Sequence, residues 1–559
     1  LIGRAKYHAF AYLKDKFWKK LQGWKGKILS RAGKELLIKA VAQSIPTYTM
    51  GVFLLPIKLC DELNSMCARF WWGQAENERK IHWKSWGRLS QSKRKGGMGF
   101  RDLRAFNLAM LAKQLWRMVQ NPKSLIYQCF KYRYFPRCNL LEAGDSTNSS
   151  YVWKSLMAAM PILKQGSCWR VENGASISVM NDKWIMNHPT CKVLHPPEVQ
   201  EWEWRVSDLI DPYLRCWDRE LIWNKFHEED AEAICRMPLS HRCAADQLIW
   251  IYNRYGKYSV KSGYHVATQI LKVDEWTECS SGSAGVEVWM KLWKLNVPCK
   301  IKIFGWRACQ NILPTRVNLA QRKIIENTYY ELCKRAPENG IHVLWECGVA
   351  QGVWARSLVK LQKCTHGQGD VLQLFADLLK RLSIEEFELF LVLAWFIWNQ
   401  RNSVIHGGKL KDPRQVLRRA EDFLAEYHQA QEQLLLMPNV QQQITGWQPP
   451  PSTQYKLNFD AAIYTDMGRL GVGAIIRNES GEVMAALSAM GLFVQDSEEA
   501  EIVACRKALE FSIDAGFTDL VIEGDNVNVM RAIASNCMDT SRLGTVIEDI
   551  HCLVRGLRW

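Results

Sequence analysis

Toward the C-terminus the apolar and polar positions fall into short blocks. The runs YKLNFDAAI, RLGVGAIIRN and EVMAALSAMGL, joined by polar or glycine-bearing turns such as ESGE, predict three consecutive strands. In SEEAEIVACRKAL the spacing becomes helical, with Ile502, Val503, Leu509 and Phe511 supplying an apolar face. DLVIEGD predicts a further strand, NVNVMRAIAS a helix, and GTVIEDIHCLVRGL a last helix. Three strands, helix, strand and two helices predict an α/β domain with a mixed sheet.

Upstream the pattern is mainly helical. In WKKLQGWKGKILSRAGKELLIKAVAQSIP the helical positions are Leu29, Leu36, Leu37, Ile38 and Val41. Ser30 before AGKE starts this helix and Pro46 ends it. FELFLVLAWFIWNQRNSVIHGG predicts a buried helix with a polar end, and DPRQVLRRAEDFLAEYHQAQEQLLL an exposed one. Leu434 to Leu436 offer either helix core or a small partner surface. QQQITGWQPPPSTQ predicts a linker, because its prolines do not continue a helix. The Trp-rich middle predicts short strands and helices, and nothing there suggests catalysis.

Composition changes this picture in three ways. At 559 residues the chain holds several domains. Its 18 Cys are scattered rather than packed into a short scaffold, which favours a reducing compartment. No run is long and apolar enough to cross a bilayer, and the opening lacks an apolar signal core. An intracellular protein of nucleus or cytoplasm, not secreted and without a membrane partner, is expected. The absence of an initial Met suggests a piece of a longer frame. Charge is uneven: residues up to about 135 hold about 27 Lys and Arg against about 7 Asp and Glu, while the last hundred or so are acidic in excess. A basic front suits phosphate. Basic residues interleaved with Trp and Phe, as in FWWG at 70–73, suit contact with phosphate and bases, although burial in a helical core explains most of these aromatics.

Three carboxylates are the candidate chemistry. Asp460 and Asp525 each close an apolar strand, and Glu501 lies in the first turns of the intervening helix. Any one of them reads as a solvated surface group. Together, in this order, they suit a pocket for hard divalent cations, which prefer oxygen ligands and in pairs clamp both oxygens of a phosphodiester displacement.

The pieces NFDAA, GVGAIIRN, AEIVACRKAL and IEGDN resemble the type 1 ribonuclease H domain at the end of plant non-LTR (LINE-type) retroelement polyproteins. GWKGKILSRAGKELLIKAV, FWWG and GGMGFRDLRAFNLAMLAKQLWR resemble, in that order, the thumb-like region after the polymerase of the same polyproteins. WRVENGASISVMNDKWI, VSDLIDP and DQLIWIYNRYGKYSVKSGY are similar to their connecting segment. The resemblance thus divides the chain into a thumb-like region (1–135), a connecting region (136–275), a degenerate reverse transcriptase zinc-binding domain (276–360), a helical segment and linker (361–450) and a ribonuclease H-like domain (451–559). No paired-Asp turn of the YADD or FADD kind is present, which excludes DNA synthesis by these residues.

What the resemblance implies is Mg2+- or Mn2+-dependent hydrolysis of the RNA strand of an RNA–DNA hybrid. Asp460 would bridge two ions, Glu501 would hold the ion on the leaving side, and Asp525 the other. Gly471 and Asn526 would neighbour the groove. The family's sheet has five strands, and its last strand and fourth acidic ligand would fall beyond Trp559, which implies weak cleavage without them. Asp549 and His551, inside the final helix, do not inherit those roles.

Cys333, His342 and Cys347 keep the spacing C-x8-H-x4-C, three-quarters of a zinc knuckle, with Tyr330 where a first Cys belongs. Water, Cys364 or His366 would complete a zinc site; the alternative is a metal-free remnant with its Cys buried. Two other functions compete with the nuclease: a relic that binds RNA or DNA without cutting, and an interaction scaffold built on the Trp-rich middle.

Overall fold

Ser30 starts a helix as the sequence predicts: its Oγ accepts the Gly33 N–H, and the helix runs Arg31–Ala40. It stops short of Pro46. The buried Gln43 amide pairs both ways with the Arg101 backbone, at 2.9 and 3.2 Å, and holds the chain in a separate tight turn, Ala42–Ser44. Pro46 opens the next short helix, Thr47–Met50, rather than ending this one. Leu36, counted above in the apolar stripe, is exposed, while Ile38 is buried.

The computed structural model describes the chain apart from residues 1–5, 26–28, 74–79, 146–147, 187, 196–202, 241–243, 273–282, 358–360, 362–366, 368, 436–447, 493, 495, 536–538 and 558–559. Cys364, His366, Leu436 and the first part of the expected linker lie outside the described residues, as do the side chains of Leu434 and Leu435. Two compact units emerge, each drawing on two stretches of chain: residues 1–108 with 271–441, and residues 109–270 with 442–559.

The first unit is helical among its described residues. Helix Lys6–Lys25 buries Phe10, Leu13, Phe17 and Leu21 at the 3–4 spacing of one face and leaves Lys16, Lys19 and Lys20 outside. Several aromatics of the basic front are core: Phe70, Trp71, Trp72 and Phe100 are buried, and the partly buried Trp86 stacks on Phe100 with centroids 5.0 Å apart. The apolar segment after residue 383 forms helix Ile384–Ile405, started by a reciprocal cap between Ser383 and Glu386. Its central residues, Phe390 to Ala394, are fully buried, as a run apolar all round requires. Helix Pro413–Leu435 is mostly exposed and buries Val416 and Ala420.

The second unit holds two sheets. A two-stranded antiparallel ribbon joins β1 (Ser167–Arg170) to β2 (Gln247–Trp250). The larger sheet contains β3 (Tyr455–Tyr464), β4 (Arg469–Arg477), β5 (Val483–Leu492) and β6 (Leu520–Glu523), in the order β5-β4-β3-β6. The first three pair antiparallel as consecutive hairpins, and β6 pairs parallel to β3. Four strands in a mixed sheet are thus observed among the described residues. Helix Ser497–Asp514 packs on β3 and β4, and helix Gly544–Arg555 packs on that helix. Ile502 and Leu509 are fully buried, and Val503 and Phe511 partly so.

The connecting region grips the C-terminal helical end of this unit. The buried Arg170 donates through Nη1 to the carbonyls of Asp539 and Ser541, at 2.8 and 2.9 Å, and pairs with the buried Glu172 at 2.9 Å. Ser240 Oγ donates to Asp549 at 2.7 Å, and Arg506 reaches the other Asp549 oxygen at 3.1 Å. Gly256, at φ +64°, lies so close to Thr540 that a Cβ would stand 1.6 Å from its carbonyl oxygen. Asp549 is therefore a structural acid, tied down by two partners.

Candidate active site and metal centre

The parallel pairing of β3 with β6 places two of the three carboxylates. Its last pair is Asn458 with Glu523. Asp525 stands two residues further on, just past the end of β6. Asp460 also stands two residues beyond this pair but does not close its strand as the apolar run suggests: antiparallel pairing with β4 carries β3 on to Tyr464, and Asp460 lies mid-strand opposite Gly473. Alternation along a strand puts Lys456, Asn458 and Asp460 on one face, opposite the core residues Leu457 and Phe459. Gly524 precedes Asp525 because a Cβ there would meet the Phe459 ring at 2.6 Å.

Beneath the carboxylates lies a polar layer that sequence reading missed. Asn458 Nδ2 donates to Glu523 at 2.7 Å, Lys456 Nζ pairs with the same Glu523 oxygen at 3.1 Å, and Arg477 donates to Asn458 Oδ1 at 3.2 Å. Their signal is the cross-strand register, which single strands do not carry.

Glu501 comes from the helix. Of the neighbouring glutamates, Glu499 is buried but neutralised by Arg542 at 3.2 Å, and Glu498 is only half-buried. Glu501 is 5% exposed, and its Oε2 has no hydrogen-bond partner. Burial, then the charges of Asp525 and Asp460, push its carboxyl up to about 7, against a lowering by the Ala461 N–H. Asp460 and Asp525 are both exposed, and Asp460 Oδ1 accepts the Ala461 N–H at 2.8 Å. Asp525 and Asp460 are both near enough for their charges to act on Glu501. The three do not converge within 4.8 Å as the cysteine cluster below does. An acid buried against two others with an orphaned oxygen fits a site that takes cations.

The first unit holds the other predicted cluster. Ligand atoms of Cys333, His342 and Cys347 lie within 4.8 Å of one another, with Cys333 Sγ 3.3 Å from His342 Nε2. His342 opens a π-helical turn, His342–Glu346, and Cys347 begins the helix Gly348–Trp354. Glu346 stands 3.9 Å from His342 Nδ1, so it faces the nitrogen that points away from Cys333. A carboxylate on that nitrogen is how metal-binding histidines are usually oriented. Burial lowers the basicity of His342 and raises the Cys347 thiol, whose sulfur also meets the Val349 and Ala350 N–H groups. Tyr330 is buried and meets the His342 ring edge-on at 5.8 Å. The donor set fits a thiophilic ion with three protein ligands, Tyr330 standing in the sequence where a fourth thiol would be.

Stretches of the chain match known families and relatives. The family model for zinc-binding in reverse transcriptase matches residues 258–354, and the reverse transcriptase-like model matches residues 458–558. An uncharacterized mitochondrial protein of Arabidopsis thaliana is 39% identical over 145 residues, 94% of its length and 26% of this chain. The chain belongs to the plant retroelement polyprotein family, as a part that carries a reverse transcriptase zinc-binding domain and a reverse transcriptase-like, ribonuclease H-type domain. A second Arabidopsis thaliana relative, named "Putative ribonuclease H protein", is 24% identical across 98% of this chain and 88% of its own length. Among solved structures, RNase H1 of Halobacterium salinarum aligns at 24% identity over 19% of this chain and 79% of its own, with a TM-score of 0.17. The N-terminal RNase H domain of a Mycobacterium tuberculosis protein aligns at 17% identity over 19% of this chain and 78% of its own, also with a TM-score of 0.17. No helix among the described residues is long and apolar enough to cross a membrane.

Proposed function

We propose that this protein is a nucleic-acid-binding product of a non-LTR retroelement whose C-terminal domain hydrolyses the RNA strand of RNA–DNA hybrids. The observation that carries this reading is Glu501: a buried acid with an orphaned oxygen, beside two aspartates borne by the adjacent parallel strands β3 and β6. Asp460, Glu501 and Asp525 would hold Mg2+ or Mn2+, which when bound supplies an activated water and charge stabilisation for the leaving 3′ oxygen. Asp460, on the internal strand β3 between β4 and β6, is assigned the shared ligand. Glu501, whose pKa is raised first by burial and then by Asp525 and Asp460, would release its proton on binding a cation that compensates the two like charges. The layer of Lys456, Asn458 and Glu523 holds β3 and β6 in register, and so fixes the spacing of the two aspartates.

The basic front is assigned to sequence-indifferent phosphate contact. Lys16, Lys19 and Lys20 project from helix Lys6–Lys25, while Phe10 and Phe17 of the same helix are committed to the core. Cys333, His342 and Cys347, with one water, would hold Zn2+. The nuclease reading is tested by incubating the chain with a labelled hybrid and Mg2+: RNA-strand cleavage that Asp460→Asn removes supports it. Binding without cleavage would instead favour the relic.

A further inference from the structure

We infer that the connecting region carries a second transition-metal site, built from His195, His227 and Glu229 and separate from the cysteine cluster. His227 caps the helix Glu228–Cys235, and Glu229 sits in its first turn. Across from them the segment ending at His195 is held by one buried acid. Asp230, fully buried, accepts the Leu194 and His195 backbone N–H groups at 3.0 and 2.9 Å. The same carboxylate faces His188 Nε2 and His195 Nδ1, each at 3.4 Å. With Nδ1 of His195 turned to Asp230, its Nε2 is the nitrogen left for a ligand.

The imidazoles of His195 and His227 lie with centroids 4.2 Å apart and planes 33° apart. One ligand atom from each, with a carboxylate oxygen of Glu229, falls within 4.8 Å of the others. Donors around tetrahedral zinc, at ~2.0–2.1 Å from the metal, stand ~3.4 Å apart. All three side chains are exposed, so small rotations close that difference without disturbing the core. The buried acid behind a ligating histidine is the outer partner that fixes ring orientation and raises ligand basicity. Two imidazoles and one carboxylate select a borderline divalent ion such as Zn2+ over Mg2+. Water completes the set, and the bound ion ties the segment around His195 to the start of helix Glu228–Cys235.

The experiment uses the full chain with Cys333→Ser and Cys347→Ser, which removes the thiols of the other cluster. After dialysis against Zn2+ and metal analysis, this variant should retain about one zinc per chain. Adding His195→Ala and His227→Ala should remove that zinc with the circular dichroism spectrum unchanged, since both residues are exposed. Loaded with Co2+, the Cys333→Ser, Cys347→Ser chain should show ligand-field bands without sulfur charge transfer, and Asp230→Asn should weaken binding roughly 10- to 100-fold. No zinc in this doubly substituted chain, or zinc indifferent to the two histidine substitutions, would overturn the assignment.

Discussion

Glu501→Gln should stabilise the metal-free protein, which is the reverse of what losing a buried hydrogen-bonding acid usually does. In the folded protein the Glu501 carboxyl is pushed from 4.5 up to about 7 by burial and by Asp525 and Asp460. A raised acid is neutral at no cost below its unfolded value, so the native state is then unpenalised. As pH rises from 4.5 to about 7 the unfolded chain ionises first, and native stability falls by the free energy of forcing the charge into the site. At ~1.4 kcal/mol per tenfold change in proton affinity, that is ~3 kcal/mol. Both aspartates are exposed and water screens their share, leaving ~1–3 kcal/mol. Glutamine carries no charge, so the variant should gain this amount at pH about 8 and none at pH about 4. For a unit of this size the gain is ~2–10 °C in Tm. Thermal unfolding by circular dichroism across that pH range provides the assay, repeated with millimolar Mg2+. Mg2+ should raise the Tm of the wild type, because it binds only the folded site, and should raise that of Glu501→Gln less. A variant less stable than wild type at pH about 8, or a wild type indifferent to Mg2+, would refute the reasoning.

Three further outcomes are expected. Binding of single-stranded RNA or DNA should weaken roughly tenfold to a thousandfold between low and physiological salt, and Lys16→Ala with Lys19→Ala and Lys20→Ala should flatten that slope; salt-independent binding measured by fluorescence anisotropy would contradict the assignment of the basic front. Cys347→Ser should lower the zinc content by about one per chain, and unchanged metal analysis would show that Tyr330 has already dissolved the site. Arg170→Ala should destabilise the second unit by ~3–5 kcal/mol, because the buried Glu172, raised by burial, is left without its partner. Denaturant unfolding with a change under ~1 kcal/mol would show the junction to be dispensable.

The α/β domain was legible because its signals are local. Alternation in YKLNFDAAI and RLGVGAIIRN predicted β3 and β4, and the switch to helical spacing at SEEAEIV predicted the helix that carries Glu501. The end of helix Arg31–Ala40 was not legible, since it depends on Gln43 meeting Arg101, which is distant in sequence. The exposure of Leu36 escaped for the same reason: spacing alone does not say which edge of a stripe meets a neighbour. The site was partly legible. Asp460 and Asp525 stood out at the close of apolar runs, although β3 continues past Asp460 to Tyr464, and the resemblance singled out Glu501 from its neighbours. What separates Glu501 from Glu499 physically is Arg542, a tertiary partner that the local pattern does not reveal. The grip of the connecting region on Asp539, Ser541 and Asp549 was invisible, because buried ion pairs and close glycine approaches leave no periodic trace.

Cleavage of an RNA–DNA hybrid labelled on each strand in turn, with and without Mg2+, tests the central claim most directly. The account predicts Mg2+-dependent cleavage confined to the RNA strand, reduced at least ~100-fold by Asp460→Asn while the circular dichroism spectrum is unchanged. Cleavage that is absent, that falls on the DNA strand, or that is untouched by Asp460→Asn would contradict it.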